Sequence, residues 1–286
     1  MRVAIIGGGI AGVSAADALA AFADVTLLEG EASLASHASG RSAAMFEENY
    51  GSAAIRALNR ASRGVLGALG VLRPRGFLMV GNADENDAFE ADLKALSLPE
   101  IGVSEARAKV PILSETIIRA AFHEDAFDID TDLLVQRFAS RARANRAKIL
   151  TSARVEAIKG SGPFSLITSK GAIAADIVVN AAGAWADGIA EMAGVRPVGL
   201  TAYRRSIARM KAPGDYDVRN WPMLYGPGES WYAKPDAGAW IVSPADADPS
   251  PPMDAWVDDM VIAEGLARYE AHMTIPVTHV TVSYTH

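Results

Sequence analysis

The sequence contains no cysteine. This excludes disulfides, thiolate metal sites, catalytic thiols and a cofactor joined covalently through cysteine. The chain also lacks a basic excess: its net charge is −7 and its isoelectric point is near 5.3, which argues against a nucleic-acid partner. No run approaches the ~20 apolar residues that span a membrane, and no signal peptide or internal repeat is apparent. We expect a cytoplasmic protein, with a peripheral position on the inner face of the membrane left open.

The chain has an otherwise ordinary globular composition. Its 286 residues are 50% hydrophobic and 21% charged, as in typical soluble proteins. This length can bury a sizeable core and can form one large domain or two modest ones.

The N-terminal segment carries the most informative pattern. A short apolar run, Val3–Ile6, leads into Gly7–Gly12, which fits G-x-G-x-x-G. Helix-forming residues follow, and a second β-type run, Val25–Leu28, ends at Glu29. Strand, glycines, helix and terminal acid together predict the β-α-β unit of a dinucleotide site. A merely glycine-rich turn would not explain the elements on either side.

Each part of this unit has a separate physical task. Gly7 permits the tight turn, Gly9 lets the backbone approach a pyrophosphate, and Gly12 lets helix and strand pack closely. The phosphates then meet free N–H groups at the positive end of the helix dipole. Glu29 is placed to accept hydrogen bonds from a ribose diol.

The remaining sequence predicts two regions of different character. Helices are expected near residues 52–69, 104–110, 132–145 and 253–272, and a buried strand near 176–183 ends in small residues. Beyond Gly199 the pattern changes to antiparallel strands separated by Pro/Gly turns. We therefore predict an α/β fold with a Rossmann-like cofactor-binding domain and a second, antiparallel-sheet substrate domain. The predicted bounds are 1–72 and 132–199 for the first domain, 73–131 and 200–281 for the second, and 282–286 for a non-native tail.

Several further segments match sequence motifs of one known protein family. They are Ser39–Ala44, Tyr50-Gly51, Arg56–Leu58, Ala61–Arg63, Val179–Trp185, Gly194–Pro197, Arg204–Ser206, Trp221–Leu224 and Lys234–Gly238. With the N-terminal unit they resemble the glycine/D-amino-acid oxidase family of FAD-dependent oxidoreductases, and within it the D-arginine dehydrogenases. The resemblance runs to about Thr281.

The resemblance implies FAD rather than NAD as the cofactor. The glycine-rich turn and Glu29 would hold its ADP half, and the loop 38–45 would run beside the ribityl chain and isoalloxazine ring. Val155 would meet the adenine through its backbone. The residues implied at the cofactor are Gly7, Gly9, Ala11, Gly12, Glu29, Gly30, Ala38, Ser39, Gly40, Arg41, Ser42, Ala43, Ala44, Met45, Val155, Ala182 and Gly183.

The resemblance also implies a substrate pocket and a reaction. Tyr50, Arg205 and Tyr232 match residues that line the pocket. A hydride would pass from the Cα of a D-amino acid to flavin N5, giving an imine that water hydrolyses to a 2-oxo acid and ammonia. A guanidinium fork or a phenol suits the substrate carboxylate. No strong base is needed if the amine arrives neutral, and oxygen or a quinone-like compound would accept the electrons.

These residue types also have ordinary structural interpretations. Arg205 follows a second arginine on a predicted strand, so one of the two should face solvent. Tyr232 beside a tryptophan is typical of a sheet core, and Tyr50 can simply pack a loop. The acidic residues at 128–132 lack the glycine and closing glutamate of a calcium loop, so we interpret them as a helix start and predict no metal site.

Two departures from the family pattern bear on the substrate. The stretch Arg75–Leu78 has no acidic residue where the D-arginine dehydrogenases meet the cationic side chain of arginine. Met45 replaces a histidine-type position beside the flavin. A pocket carrying Phe77 and Met45 would favour a neutral or apolar D-amino acid.

The C-terminal segment departs as well. Family members continue for several tens of residues, whereas this chain stops within an alternating pattern that begins at Thr274, and its last five residues resemble a translated sequencing adaptor. We therefore expect a truncated reading frame without the last strand and helix of the FAD domain. The alternatives to a D-amino-acid dehydrogenase are a sarcosine/glycine-oxidase-like enzyme, a nicotinamide-binding protein and an inactive fragment.

Overall fold

The computed structural model describes residues 1–214 and 216–286. Its α-helices are α1 (Ile10–Leu19), α2 (Ala38–Arg41), α3 (Ala53–Ala68), α4 (Asn86–Ala95), α5 (Val103–Lys109), α6 (Thr131–Ala144), α7 (Ala186–Met192) and α8 (Asp259–Glu270). Short 3-10 turns lie at Ala83–Glu85, Gly183–Trp185, Val218–Asn220 and Pro227–Glu229. Among the described helices, none combines the length and apolarity that a bilayer span requires.

The strands are spread along the whole chain. They are β1 (Arg2–Ile6), β2 (Asp24–Leu28), β3 (Met45–Phe46), β4 (Leu72–Pro74), β5 (Phe77–Gly81), β6 (Glu100–Ile101), β7 (Arg119–His123), β8 (Phe127–Ile129), β9 (Lys148–Leu150), β10 (Val155–Lys159), β11 (Phe164–Thr168), β12 (Gly171–Ala175), β13 (Ile177–Asn180), β14 (Ser206–Met210), β15 (Met223–Tyr225), β16 (Tyr232–Asp236), β17 (Ala239–Ser243) and β18 (Val282–Thr285).

The chain forms two compact units, each built from separated segments. The first comprises Met1–Ala43, Asp130–Tyr203 and Pro249–Asp254; the second comprises Ala44–Ile129, Arg204–Asp248 and Ala255–His286. The division differs from the predicted domain bounds chiefly at residues 44–72. These residues lie in the second unit because β3 and β4 both pair with β8.

The first unit is a parallel sheet covered on both faces. The strand order is β13-β1-β2-β9, and every pairing is parallel. Along β1, Val3 and Ile5 share a core with residues of α1 and α6, whereas Ala4 and Ile6 share a core with residues of β10, β11 and β12. This alternation follows from the period-two geometry of a strand. A strand buried on both faces reads as a continuous apolar run, as the sequence of β1 does.

The second unit is dominated by an eight-stranded sheet of order β18-β14-β17-β16-β15-β5-β7-β6. Its neighbouring strands are antiparallel except β5 and β15, which run parallel. One face is the main hydrophobic core, where Leu78, Leu224 and Val242 pack with Ile262 and Tyr269 of α8. Because side chains alternate across a strand, Phe77, Met79 and the two tyrosines discussed below point to the opposite face. The predicted α/β fold with a separate, largely antiparallel sheet domain is thus confirmed.

Three local predictions need correction. The helix predicted from residue 253 begins at Asp259, where the side chain of Asp258 caps its first turn. One of the Pro/Gly turns expected beyond Gly199, at Pro235–Gly238, begins later than its sequence indicates, because β16 extends to Asp236 and pairs with β17. The alternating pattern after Thr274 becomes strand only at Val282–Thr285, which pairs with β14 as an edge strand.

Helix α3 is unusual in its orientation. Its apolar residues Ile55, Leu58 and Val65 are 46%, 61% and 55% exposed, although an amphipathic stripe normally indicates the buried face. Two of its three arginines face the unit instead: Arg63 donates to Glu48 Oε1 at 2.9 Å, and Arg56 donates to a backbone carbonyl. Polar contacts, not apolar burial, therefore fix the inner face of this helix.

Candidate active site

The turn between β1 and α1 leaves no room for side chains. Gly7 has φ +109°, and a Cβ on it would lie 2.3 Å from the carbonyl oxygen of Ala181. A Cβ on Gly12 would lie 1.8 Å from the carbonyl oxygen of Gly7. The backbone of the turn is therefore pressed against the end of β13, as the G-x-G-x-x-G spacing predicts.

The N-terminus of α1 is accessible at this turn. Gly9 is the N-cap residue and supplies no side chain to bond the free N–H groups. Ile10 and Ala11 are exposed, and the N–H of Ile10 donates to Ser39 Oγ at 3.0 Å. The exposed N–H groups and the helix dipole together suit a bound diphosphate.

Glu29 lies at the carboxyl end of β2, beside the same turn. Its Oε2 accepts the N–H of Gly8 at 2.7 Å, and its Oε1 accepts the N–H of Glu31 at 2.7 Å. Two backbone donors thus fix the orientation of the carboxylate. A carboxylate oxygen has further lone pairs, so the group can also accept hydrogen bonds from a ribose. Gly30 follows, and a Cβ on it would lie 3.4 Å from the Arg154 guanidinium.

The loop implied at the flavin is divided between the units. Its first part forms α2, in which a Cβ on Gly40 would lie 2.2 Å from the carbonyl oxygen of Ala35. Arg41 donates to Asp254 Oδ1 at 2.6 Å. Ser42 and Ala43 follow α2 in the first unit, whereas Ala44, with φ +50°, and Met45, in β3, belong to the second.

The other residues implied at the cofactor lie around the carboxyl edge of the parallel sheet. Val155 is 6% exposed and shares a core with Leu28 and Ala182. Ala182 and Gly183 begin the 3-10 turn after β13, and Gly183 has φ +54°. The first unit therefore brings together the glycine turn, Glu29, Ser39 and the end of β13. Its close backbone, open helix end and oriented acid fit the ADP half of FAD.

In the second unit, Tyr50 and Arg205 converge on Glu229. The hydroxyl of Tyr50 donates to Glu229 Oε1 at 2.5 Å, and Arg205 Nη2 lies 4.0 Å from Glu229 Oε2. Partial burial and the adjacent carboxylate of Glu229 raise the pKa of Tyr50 to about 12. The phenol is therefore a hydrogen-bond donor at neutral pH. The neighbouring arginine, Arg204, instead pairs with Asp248 at 3.0 Å.

Sequence reasoning missed Glu229. Its only signal is an acidic residue in a Pro-Gly turn between two predicted strands, a common feature of surface loops. In the structure Gly228 and Glu229 have φ values of +70° and +54°. Two consecutive left-handed residues are uncommon, and here they direct the glutamate towards Tyr50 and Arg205.

Tyr232 lies on the sheet face opposite the main core. It pairs across the strands with Tyr225, whose ring centroid lies 5.1 Å from that of Phe77. Burial raises the pKa of the Tyr232 phenol, and Ser243 partly opposes this shift. Tyr232 is 8% exposed, so the structure agrees with the expectation of a packed residue while placing it on the same face as Phe77.

A buried charge cluster lies two residues further along β16. Lys234 Nζ is 2.5 Å from Asp128 Oδ1, and Arg75 Nε donates to Asp128 Oδ2 at 2.7 Å. Asp128 is thus a β8 residue that links two cations, not part of a helix start. Asp130 does begin α6, because its side chain accepts the N–H of Leu133 at 2.9 Å.

Comparisons with known proteins identify the family of the chain. The sequence profile of the DAO family, described as FAD dependent oxidoreductase, matches residues 2–285. Among solved structures, the glycine oxidase of Geobacillus kaustophilus has a TM-score of 0.80 at 21% identity, covering 99% of this chain and 82% of that one. The L-proline dehydrogenase of P. horikoshii has a TM-score of 0.82 at 21% identity, covering 99% and 80%.

A third solved structure contains the cofactor. The FAD-bound L-alpha-glycerophosphate oxidase of Mycoplasma pneumoniae has a TM-score of 0.82 at 18% identity, covering 99% of this chain and 82% of that one. At these identities the structural likeness shows the fold, and the profile match shows the family. The chain therefore belongs to the DAO family of FAD-dependent oxidoreductases, and its cofactor is FAD.

Proposed function

We propose that the protein oxidises the Cα–H of a D-amino acid, in the manner of the D-arginine dehydrogenases but with a neutral or apolar side-chain preference. FAD supplies the hydride acceptor when bound. The observation that carries the proposal is the convergence of Tyr50 and Arg205 on one carboxylate, that of Glu229. Groups already arranged around a protein carboxylate are suited to a substrate carboxylate.

In this proposal the two groups share the recognition of the substrate. The Arg205 guanidinium offers a planar fork to the substrate carboxylate. The Tyr50 hydroxyl has a single proton, so its hydrogen bond passes from Glu229 to the substrate carboxylate when the substrate binds. Tyr232 contributes its phenol from the adjoining sheet face. The residues orient the Cα–H bond, and the amine binds in its neutral form, so the protein needs no strong base.

The proposed preference for a neutral or apolar substrate side chain follows from the absence of an acidic residue in one stretch of the chain. The stretch Arg75–Leu78 carries no acid, and Phe77 presents a ring on the same sheet face as Tyr225. Glu229 does not replace the missing acid, because its negative charge already adjoins the Arg205 guanidinium. A cationic substrate side chain would therefore lack a partner.

The direct test is anaerobic bleaching of the FAD-loaded protein by a panel of amino acids. We expect bleaching by neutral D-amino acids such as D-leucine or D-methionine, and slower bleaching by D-arginine and by the L-enantiomers. Preferential reaction with glycine or sarcosine would favour the glycine-oxidase-like alternative. Steady-state assays with oxygen and with a quinone-like dye then identify the electron acceptor.

Substitution of the arginine tests the assigned carboxylate site. Arg205→Met should lower kcat/KM by about 100-fold, because a charge-assisted bidentate contact is lost. Arg204→Met is the matched control, since Arg204 pairs with Asp248 instead. Equal losses in the two variants would contradict the assignment of Arg205.

A further inference from the structure

We propose that Asp92 is a positioning residue for substrate binding, which acts by holding the Pro227–Ser230 loop in the conformation that aims Glu229 at Tyr50 and Arg205. The inference rests on the proposed function of those two residues. Asp92 lies on α4, far from the loop in sequence, and no motif in the sequence points to it.

The direct contact is between a carboxylate and the middle of the loop. Asp92 Oδ2 accepts the N–H of Gly228 at 2.6 Å, across 136 positions of sequence. Gly228 is the first of the two left-handed residues. A left-handed conformation is unfavourable for a non-glycine residue, so Glu229 needs such external contacts to keep it.

Tyr225 also lies close to both carboxylates. Burial, the charge of Asp92 and the charge of Glu229 together raise the pKa of its phenol. Burial and the charge of Glu229 both raise the pKa of Asp92, in keeping with the closeness of the two carboxylates. Asp92 therefore holds the Gly228 N–H directly and lies close to the carboxylate of the next residue, Glu229.

The ends of the loop are fixed independently of Asp92. The N–H of Gly226 donates to the carbonyl of Trp231 at 2.9 Å, and Arg268 Nε donates to the carbonyl of Ser230 at 2.8 Å. Loss of the Asp92 carboxylate would therefore release the middle of the loop without detaching its ends. The expected consequence is a misdirected Glu229 and a poorly ordered Tyr50 and Arg205, with the fold retained.

The test compares Asp92→Ala with Asp87→Ala in the FAD-loaded protein. Asp87 lies exposed on the same helix and gives a matched loss of charge. We expect Asp92→Ala to raise KM for the best amino acid about 10- to 100-fold, the range for a lost charge-assisted hydrogen bond, with kcat changed by less than about threefold. Asp92→Asn retains one acceptor oxygen for Gly228 and should show a smaller effect.

A second readout does not depend on turnover. The Kd of a non-oxidised carboxylate such as anthranilate, read from the flavin spectrum, should rise in parallel with KM in the Asp92 variants. Unchanged KM and Kd in Asp92→Ala, or equal changes in Asp87→Ala, would overturn the inference. If Asp92→Ala loses FAD or fails to fold, the same comparison made with Asp92→Leu decides, because leucine branches at Cγ as aspartate does and has no acceptor oxygen.

The proposed function is judged separately. A wild-type protein that no amino acid bleaches, or an Arg205→Met variant with unchanged kcat/KM, contradicts the proposed function itself. If amino acids bleach the wild-type protein and Arg205→Met is impaired, but Asp92→Ala behaves normally, only the proposed role of Asp92 is contradicted.

Discussion

The Glu29 carboxylate is the residue on which cofactor affinity should depend most sharply. Its two oxygens are oriented by the N–H groups of Gly8 and Glu31, which leaves it poised for a ribose diol. Glu29→Ala should weaken FAD binding about 10- to 100-fold, as expected for hydrogen bonds to a charged group. Fluorescence titration of the apoprotein with FAD measures this, with the exposed Glu156→Ala as control. An unchanged Kd would contradict the assignment of Glu29.

The Tyr50 hydroxyl provides a prediction that spectroscopy can check. Tyr50→Phe removes the hydrogen bond to Glu229, and we expect kcat/KM to fall about 10-fold because one neutral donor to the substrate is lost. In an alkaline absorbance titration the variant should lack one phenol that ionises at about pH 12. Tyr216→Phe, which alters a tyrosine that is 45% exposed, is the control. A variant with full activity would show that Tyr50 only packs its loop.

Residues in a local motif could be predicted from sequence, and residues joined by long-range contacts could not. Gly7, Gly12 and Glu29 follow from spacing within one β-α-β unit, and the structure places them in one turn region. Asp92 and Glu229 gave no such signal. The contact from Asp92 reaches 136 positions along the chain, so it depends on the assembled sheet and not on any local pattern.

At the scale of elements, the start of α6 offers a separate test of stability. The Asp130 side chain accepts the N–H of Leu133, and α6 packs through Val135 and Ala142 into the core of the parallel sheet. Asp130→Ala should cost about 1 kcal/mol, the usual value of an N-cap, and lower Tm by about 2–4 °C. Asp132→Ala, one residue into the helix, is the control. A smaller Tm change for Asp130→Ala than for Asp132→Ala would contradict the capping role.

Helix α3 shows why periodicity alone does not give orientation. The predicted helix near 52–69 is present as Ala53–Ala68, with Ser52 as its N-cap. Its apolar stripe is exposed, however, because Arg56 and Arg63 find partners on the inner side. Periodicity shows how apolar and polar residues are distributed around a helix. Which side of the helix packs against the protein depends also on the partners that the neighbouring residues offer.

At the scale of the whole chain, the order of the strands in the sequence does not show which strands are neighbours in the large sheet. β5 pairs with β7 in the same segment of the chain, but its other neighbour is β15, in a parallel register from Phe77↔Met223 to Met79↔Tyr225. The sequence indicates each strand from its composition, yet it does not indicate which distant strand completes the sheet. For the same reason the alternating pattern after Thr274 predicted strand too early, since only Val282–Thr285 has a partner in β14.

One contact between distant segments should link the stability of the protein to acid pH. His272, which is 3% exposed, is 2.8 Å from Glu85 through Nε2, while Nδ1 lies 2.8 Å from the carbonyl of Arg268. Burial opposes the ionisation of Glu85, but the hydrogen bonds from His272 and from the Asn82 N–H outweigh it and lower the pKa of Glu85. The contact joins residues 187 positions apart.

The sign of the pH effect follows from this lowered pKa. The relevant pH window lies between the lowered pKa of folded Glu85 and the ordinary value near 4.5. Within this window the unfolded chain binds more protons than the folded protein. The stabilisation from Glu85 is therefore fully present above the window and is lost as pH falls through it. Glu85→Gln should therefore cost about 1–3 kcal/mol at neutral pH, and the cost should shrink towards about pH 3 as wild-type Glu85 itself becomes protonated. Denaturant unfolding across this range measures the two free energies of unfolding, with the exposed Glu115→Gln as control. If the difference in free energy of unfolding between wild type and Glu85→Gln stays constant with pH, the charge of Glu85 does not contribute to stability.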